Sequence, residues 1–217
     1  MKKILAHPFI ALALVACAFL LLYNPLTHFP YSLIIVSCYI LGVTLAQDGN
    51  LSKLNFKRIS LHHLKIIVAS FLALELIMDL LVQPMANYFL NEPVDYSAFE
   101  SLEGQKILFF KWLLQVWISA AFGEELLFRG FVFAQLEKMG VSKKYPIVFI
   151  SALLFCLPHW YQSPAGIFTT FVFGIAFGLM YSHWKHLWIN VMVHGLIDTV
   201  FLTLCYLGYL DWYKIIL

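Results

Sequence analysis

The amino-acid sequence predicts an all-helical, polytopic membrane bundle of about seven spans, within a range of six to eight. Of its 217 residues, 62% are hydrophobic and 12% are charged, about half the charge a soluble domain carries. Mean hydropathy is +0.82. Apolar runs of roughly 15 to 27 residues follow one another along the chain, and about 20 helical residues cross the hydrocarbon. They are too long for strands and lack the two-residue alternation of an outer-membrane barrel. Helices follow because a segment in lipid must satisfy its own backbone groups. This composition excludes disorder, a coiled coil and an ordinary cytosolic enzyme. A net charge of +2 offers no basic face for nucleic acid.

The first span is expected at 4–23. Lys2-Lys3 followed by Leu14-Val15-Ala16-Cys17 resembles a lipoprotein signal. The apolar run continues through Phe19–Leu22, however, whereas cleaved signals give way to polar residues, so an uncleaved span is expected. The second span is expected at 31–47. The third, at 64–90, is long, and Gln83-Pro84 is a candidate break. The remaining four are expected at 107–128, 146–161, 165–181 and 187–207. The four cysteines show no CxxC spacing, so neither a disulfide framework nor a thiolate zinc site is predicted. The whole chain, 1–217, reads as one membrane domain.

Loop charges orient the bundle. Lys2 and Lys3 precede the first span. Lys53, Lys57 and Arg58 follow the second, Lys138, Lys143 and Lys144 flank the turn near 137–145, and Lys185 occupies the turn at 182–186. Between these, 24–30 holds no Lys or Arg, and 91–105 carries Glu92, Asp95, Glu100 and Glu103 without a cation. The expectation is a cytoplasmic N-terminus with the acidic loops outside. Short loops, this pattern and the lack of an organelle signal point to a bacterial inner membrane.

Ionisable residues inside spans are costly and mark function by default. The densest cluster is Gly123-Glu124-Glu125-Leu126-Leu127-Phe128-Arg129-Gly130. On a helix Glu125 and Arg129, four apart, share a face and can pair. Glu124 points about 100° away, which leaves it as a candidate general base or acid. The bland alternative is a cytoplasmic helix end with three solvated charges. His159 follows in Phe155-Cys156-Leu157-Pro158-His159. Asn190, His194 and Asp198 then form a polar stripe at intervals of four, for which helix–helix hydrogen bonding is the alternative.

Depth links these features. The basic turn centres near 141–142, with Glu124 about 17 residues before it and His159 about 17 after it. Antiparallel helical arms would bring them to similar height. His194 and Asp198 lie roughly 9 and 13 residues from their own turn, a difference that a tilt, or a kink at Pro158, can absorb.

In order, these segments resemble the motifs of the CAAX protease and bacteriocin-processing (CPBP, or Abi) family. Glu124-Glu125-Leu126-Leu127-Phe128-Arg129 resembles EExxxR, Phe155 to His159 resembles FxxxH, and His194 to Asp198 resembles the third motif, a histidine followed four residues on by Asn or Asp. The resemblance covers about 107–207. It implies a helical core with a polar cavity open to one side of the membrane and an endopeptidase activity on membrane-associated or lipidated, CAAX-like peptides. It also implies that Glu124 activates water with help from His159, while His194 and Asp198 stabilise the oxyanion or hold a metal. Members have been described both as metalloproteases and as metal-independent glutamate proteases. Two features depart from the pattern. Asp198 stands where CAAX endopeptidases tend to have Asn, and Pro158 directly precedes His159.

HExxH, the usual helical zinc signature, is absent. With Glu124 assigned as base, no tightly bound metal is expected. If zinc were used, His159, His194 and Asp198 would be its ligands; Glu125, Arg129 and Asn190 are expected to support the catalytic site. The expected partners are a peptide or lipidated substrate and the bilayer, and the chain is expected to be a monomer or a weak homodimer. Two other functions compete, a non-enzymatic immunity or scaffold protein of the same fold and a small proton-coupled transporter. Glu75 and Asp79 share a face of the third span and either line the same cavity or pair with Lys111. Gly174 and Gly178 form a GxxxG suited to close helix packing. The tryptophans mostly fall near span ends, as interfacial anchors do.

Overall fold

In a computed structural model, residues 7–215 are described, and they form seven helices with no strand among the described residues. Lys2, Lys3 and the start of the first expected span lie outside them. The helices are α1 (Pro8–Leu22), α2 (Tyr31–Asp48), α3 (Leu61–Leu90), α4 (Lys106–Lys138), α5 (Lys144–Cys156), α6 (Ser163–Trp184) and α7 (Leu187–Tyr206). Five helical runs are long and apolar enough to cross a membrane, and α1 is a shorter apolar helix. The chain is a polytopic helical membrane protein.

Each helix starts and stops for a local reason. Pro8 opens α1 at a position where its missing N–H costs nothing. Only Ala11, Val15 and Ala18 of α1 are buried, a narrow stripe facing the bundle, while Phe9 and Leu20 are exposed to the lipid side. Ser60 and His63 cap α3 reciprocally, the Ser60 N–H donating to His63 Nδ1 at 3.1 Å. Pro84 does not break α3. The turn just before it, Met78–Val82, widens into a π-helical turn, and the helix continues to Leu90. Widening re-pairs carbonyls that the proline nitrogen cannot serve.

The fourth helix departs most from expectation. It does not stop near residue 128 but runs to Lys138, and Val116–Val132 is wound as a π-helix. Glu124, Glu125 and Arg129 look like a helix end in the sequence, yet Glu125 and Arg129 are 0% exposed and Glu124 is 9% exposed. The charges lie within the helix, so they do not mark its boundary.

The fifth span, expected at 146–161, is divided. α5 ends at Cys156, and a 3-10 turn containing Pro158, Leu157–Gln162, reverses the chain into α6. α5 and α6 pack antiparallel at very short range. A Cβ on Gly174 would lie 2.9 Å from Ala152 Cα, and one on Gly178 would lie 3.0 Å from Val148 Cγ1. The GxxxG is therefore spent inside the monomer.

α4 is the hub, in contact with α1, α2, α5, α6 and α7, and α3 closes the bundle against α6 and α7. The loops gather at two ends. At one, Asp95 N–H donates to Gln162 O (3.0 Å), Gly104 N–H to Tyr206 O (2.9 Å) and Asn87 Nδ2 to Tyr213 O (3.0 Å). At the other, Leu187 N–H donates to Asn55 O (3.1 Å), and Lys138 pairs with Asp48 (3.0 Å) and Lys185 with Glu137 (3.4 Å).

Candidate functional site

A cavity of about 670 Å³ opens beside α4. Its floor holds Glu124, His159, His194 and Asp198, with the rings of Phe128, Phe155 and Phe177 between them. α3 contributes Glu75 and Asp79 to one wall, and the α1–α2 loop contributes Thr27, His28 and Phe29 to another. Of the two options for Glu75 and Asp79, the cavity is therefore the one realised, and Lys111 lies exposed on α4. Burial, together with the nearby Asp79 carboxylate, raises the Tyr213 phenol above its ordinary range.

Glu125 stands behind the floor and is fully buried. Its Oε1 accepts from Arg129 Nη1 at 2.8 Å and faces His194 Nδ1 at 3.1 Å, while its Oε2 accepts from Asn190 Nδ2 at 3.1 Å. Arg129 also donates through Nη2 to Gly174 O at 3.2 Å, and its guanidinium lies 4.2 Å from the centre of the Phe155 ring, a cation–π contact. Asn190 Nδ2 further donates to Phe177 O at 2.9 Å. One carboxylate thus ties α4 to α7, and Arg129 carries the tie on to α6. A buried ion pair lowers the free energy only when its remaining donors and acceptors are met; here most are, while Arg129 Nε and Asn190 Oδ1 have no hydrogen-bond partner among the described residues.

Glu124 is held differently. Its Oε2 is buried and has no hydrogen-bond partner among the described residues. Buried polar atoms are nearly always paired, so such an exception asks for a reason. Asp198 Oδ2, Glu75 Oε2 and Thr27 Oγ1 are further exceptions in the same cavity.

The histidines are oriented by what they touch. His159 Nδ1 lies 3.1 Å from Phe155 O. A carbonyl only accepts, so Nδ1 carries the proton and Nε2 is the free nitrogen. His194 stacks on Phe177, with ring centres 5.1 Å apart. Its Nδ1 meets Glu125, and its Nε2 lies 3.6 Å from Asp198 Oδ2, longer than a direct hydrogen bond.

His194 and Asp198 adjoin, but among the described residues no three His, Cys, Asp or Glu side chains are grouped to hold an ion. His194 has both ring nitrogens turned to carboxylates, Glu125 at Nδ1 and Asp198 at Nε2.

Several lining residues carry no signal in the span pattern. His28, Tyr96 and Tyr161 reach the cavity from loops and turns. Trp112, read as an interfacial anchor, lines the cavity and stacks on Phe29 at 5.7 Å. Trp117 is a packing residue. Its indole N–H donates to Thr199 Oγ1 at 3.1 Å, and its ring fills the space a Cβ on Gly195 would need.

Residues 106–200 match the family model described as type II CAAX prenyl endopeptidase, Rce1-like. No curated protein and no solved structure matches the chain. The matched segment runs from the start of α4 into α7 and takes in Glu124, His159, His194 and Asp198. Over residues 106–200, a little under half of its length, this membrane protein is similar to the Rce1-like endopeptidases of the CPBP family.

Proposed function

We propose that the chain is an intramembrane endopeptidase that hydrolyses a peptide bond in a membrane-associated or lipidated peptide, with Glu124 as general base. The observation that carries this reading is the buried, unpartnered Glu124 Oε2 facing a cavity shared with His159 and His194.

Peptide hydrolysis needs a nucleophilic water, a base for its proton and a donor for the developing oxyanion. Glu124 takes the proton from water. His159, with Nδ1 committed to Phe155 O, offers Nε2 to position that water. Attack on the carbonyl carbon moves an electron pair onto its oxygen. His194, braced by Glu125 at Nδ1, then donates from Nε2 to that oxygen. Asp198 orients the imidazole, and as a carboxylate it is a poor direct donor. Collapse of the tetrahedral species breaks the C–N bond, and Glu124 returns its proton to the leaving amine. The aromatic upper wall, with Phe29, Phe99 and Trp112, suits an apolar side chain or lipid tail.

We place the protein in a bacterial inner membrane with a cytoplasmic N-terminus. We read it as a monomer, since its GxxxG packs within the chain. The test uses wild type, Glu124→Gln and His159→Ala purified in detergent and offered a quenched peptide library. The reading expects cleavage by wild type alone. Cleavage by Glu124→Gln at the wild-type rate would remove Glu124 from the mechanism. A non-enzymatic scaffold of the same fold would keep its cellular phenotype with Glu124→Gln.

A further inference from the structure

We infer that the cavity takes its peptide from the non-cytoplasmic side of the membrane, so that the substrate is a secreted or externally exposed segment rather than a cytosolic tail. The inference rests on the endopeptidase reading for what happens inside the cavity, but the sidedness stands on its own observations.

The first observation is where the cavity opens. Its floor is at mid-bundle, at Glu124 on α4 and His194 on α7. Its remaining lining rises toward one end only, through Tyr23 and Pro25 of the α1–α2 loop and Ala98 of the α3–α4 loop, all exposed. No residue of the 49–60 loop, the 139–143 turn or the 185–186 turn lines it. Tyr181, Phe133 and Leu187, which lead to that other end, are buried to within a few per cent, and the separate cavity of about 310 Å³ there, lined by Ser52, Phe133, Tyr181 and Lys185, shares no residue with this one.

The second observation is the charge at the two ends. At that other end stand Lys53, Lys57 and Arg58 in one loop, and Lys138, Lys143 and Lys144 at the next turn. Lys185 caps the last, against Asp48 and Glu137 as the acids there. At the open end the 91–105 loop holds four acids and no cation. Its neighbours add Lys106 and Lys214, the latter paired with Asp211 at 2.8 Å. Short loops rich in Lys and Arg stay in the cytoplasm. With the basic end inside, the mouth between Tyr23 and Ala98 faces outward. A cytosolic peptide would meet the other, basic end.

The experiment separates sidedness from catalysis. Ala98→Cys and Ser101→Cys sit at the open end, and Ser52→Cys and Ser142→Cys at the basic end; all four positions are exposed. Each full-length variant is expressed in a bacterial inner membrane, and spheroplasts are treated with a membrane-impermeant maleimide before and after permeabilisation. Wild type serves as the baseline for the native cysteines. The expected result is that Ala98→Cys and Ser101→Cys label fully before permeabilisation, while Ser52→Cys and Ser142→Cys label only after it. The opposite pattern, or equal labelling at both ends in sealed spheroplasts, overturns the inference. In parallel, a quenched peptide that wild type cleaves in detergent is added outside sealed spheroplasts. Cleavage without permeabilisation supports outward access, and cleavage that appears only after permeabilisation overturns it. If no peptide is cleaved in detergent, the endopeptidase reading has failed while the labelling still decides which way the cavity faces.

Discussion

His194 Nδ1 lies 3.1 Å from Glu125 Oε1, the same oxygen that Arg129 Nη1 holds at 2.8 Å. The two acids of the pair Glu124-Glu125 therefore divide the labour. Glu125 is consumed in joining helices, and Glu124 is left with an open oxygen in the cavity.

That division predicts opposite responses to neighbouring substitutions. Glu124→Gln removes a buried charge without removing any hydrogen bond from Oε2. The fold should persist, with thermal unfolding in detergent at or above the wild-type temperature. Cleavage should fall by about 10²–10⁴-fold, the range for loss of a general base. A variant that both unfolds early and loses activity would mean Glu124 is structural.

Glu125→Ala should do the reverse in its primary effect. It strands the Arg129 guanidinium in the interior, and removing one member of a buried pair costs about 3–5 kcal/mol. Denaturant titration in detergent measures this loss. Activity should fall as well, because His194 loses the group that braces it. Restoring the pairing shape with Glu125→Gln should recover part of the stability.

Close packing of α5 on α6 gives a third prediction. Gly174→Val places atoms where a Cβ alone already lies 2.9 Å from the Ala152 backbone. Overpacking of this kind costs about 1–3 kcal/mol. It should also disturb the Gly174 carbonyl that accepts from Arg129. Gly42→Ala meets nothing within 4 Å and should leave the melting temperature unchanged or slightly raised. Melting curves of the two variants side by side make the comparison.

Metal dependence is read by chelation. With His194 facing Glu125 and Asp198, and no third ligand grouped with them, treatment with a chelator should leave the cleavage rate unaltered. A rate lost to the chelator and restored by zinc would assign His194 and Asp198 as ligands and displace the oxyanion role proposed for His194.

The spans were legible because lipid leaves hydropathy and loop charge as strong, local signals. Seven apolar runs in the sequence correspond to seven helices. Glu125 and Arg129 were legible as a pair because spacing of four is enough to bring them together. The remainder depended on contacts between distant segments. Nothing in local composition says that the helix carrying Val116–Val132 winds wide, because the same residues suit an α-helix. The charges of Glu124 to Arg129 left a solvated helix end open as an alternative, since partners such as Asn190 and Gly174 lie 45 or more residues away. Trp117 looked like an interfacial anchor because only the missing side chain of Gly195 shows what it packs against. His28 and Tyr96 were missed because they lie in loops, where periodicity carries no information.

The wide winding of Val116–Val132 also has a bearing on how the site tolerates change. A turn closed by i to i+5 bonds holds one residue more than an α-turn, so this helix carries slack in its register. Deleting a single residue there can be absorbed by tightening one turn, with the ends of α4 still seated in the bundle. The residues between the deletion and the tightened turn are rotated. Glu124 would swing off the cavity and Glu125 off Asn190 and His194. In this segment chain length acts as an angular setting, and a shortened helix could fold and remain inserted while aiming its acids at the wrong neighbours.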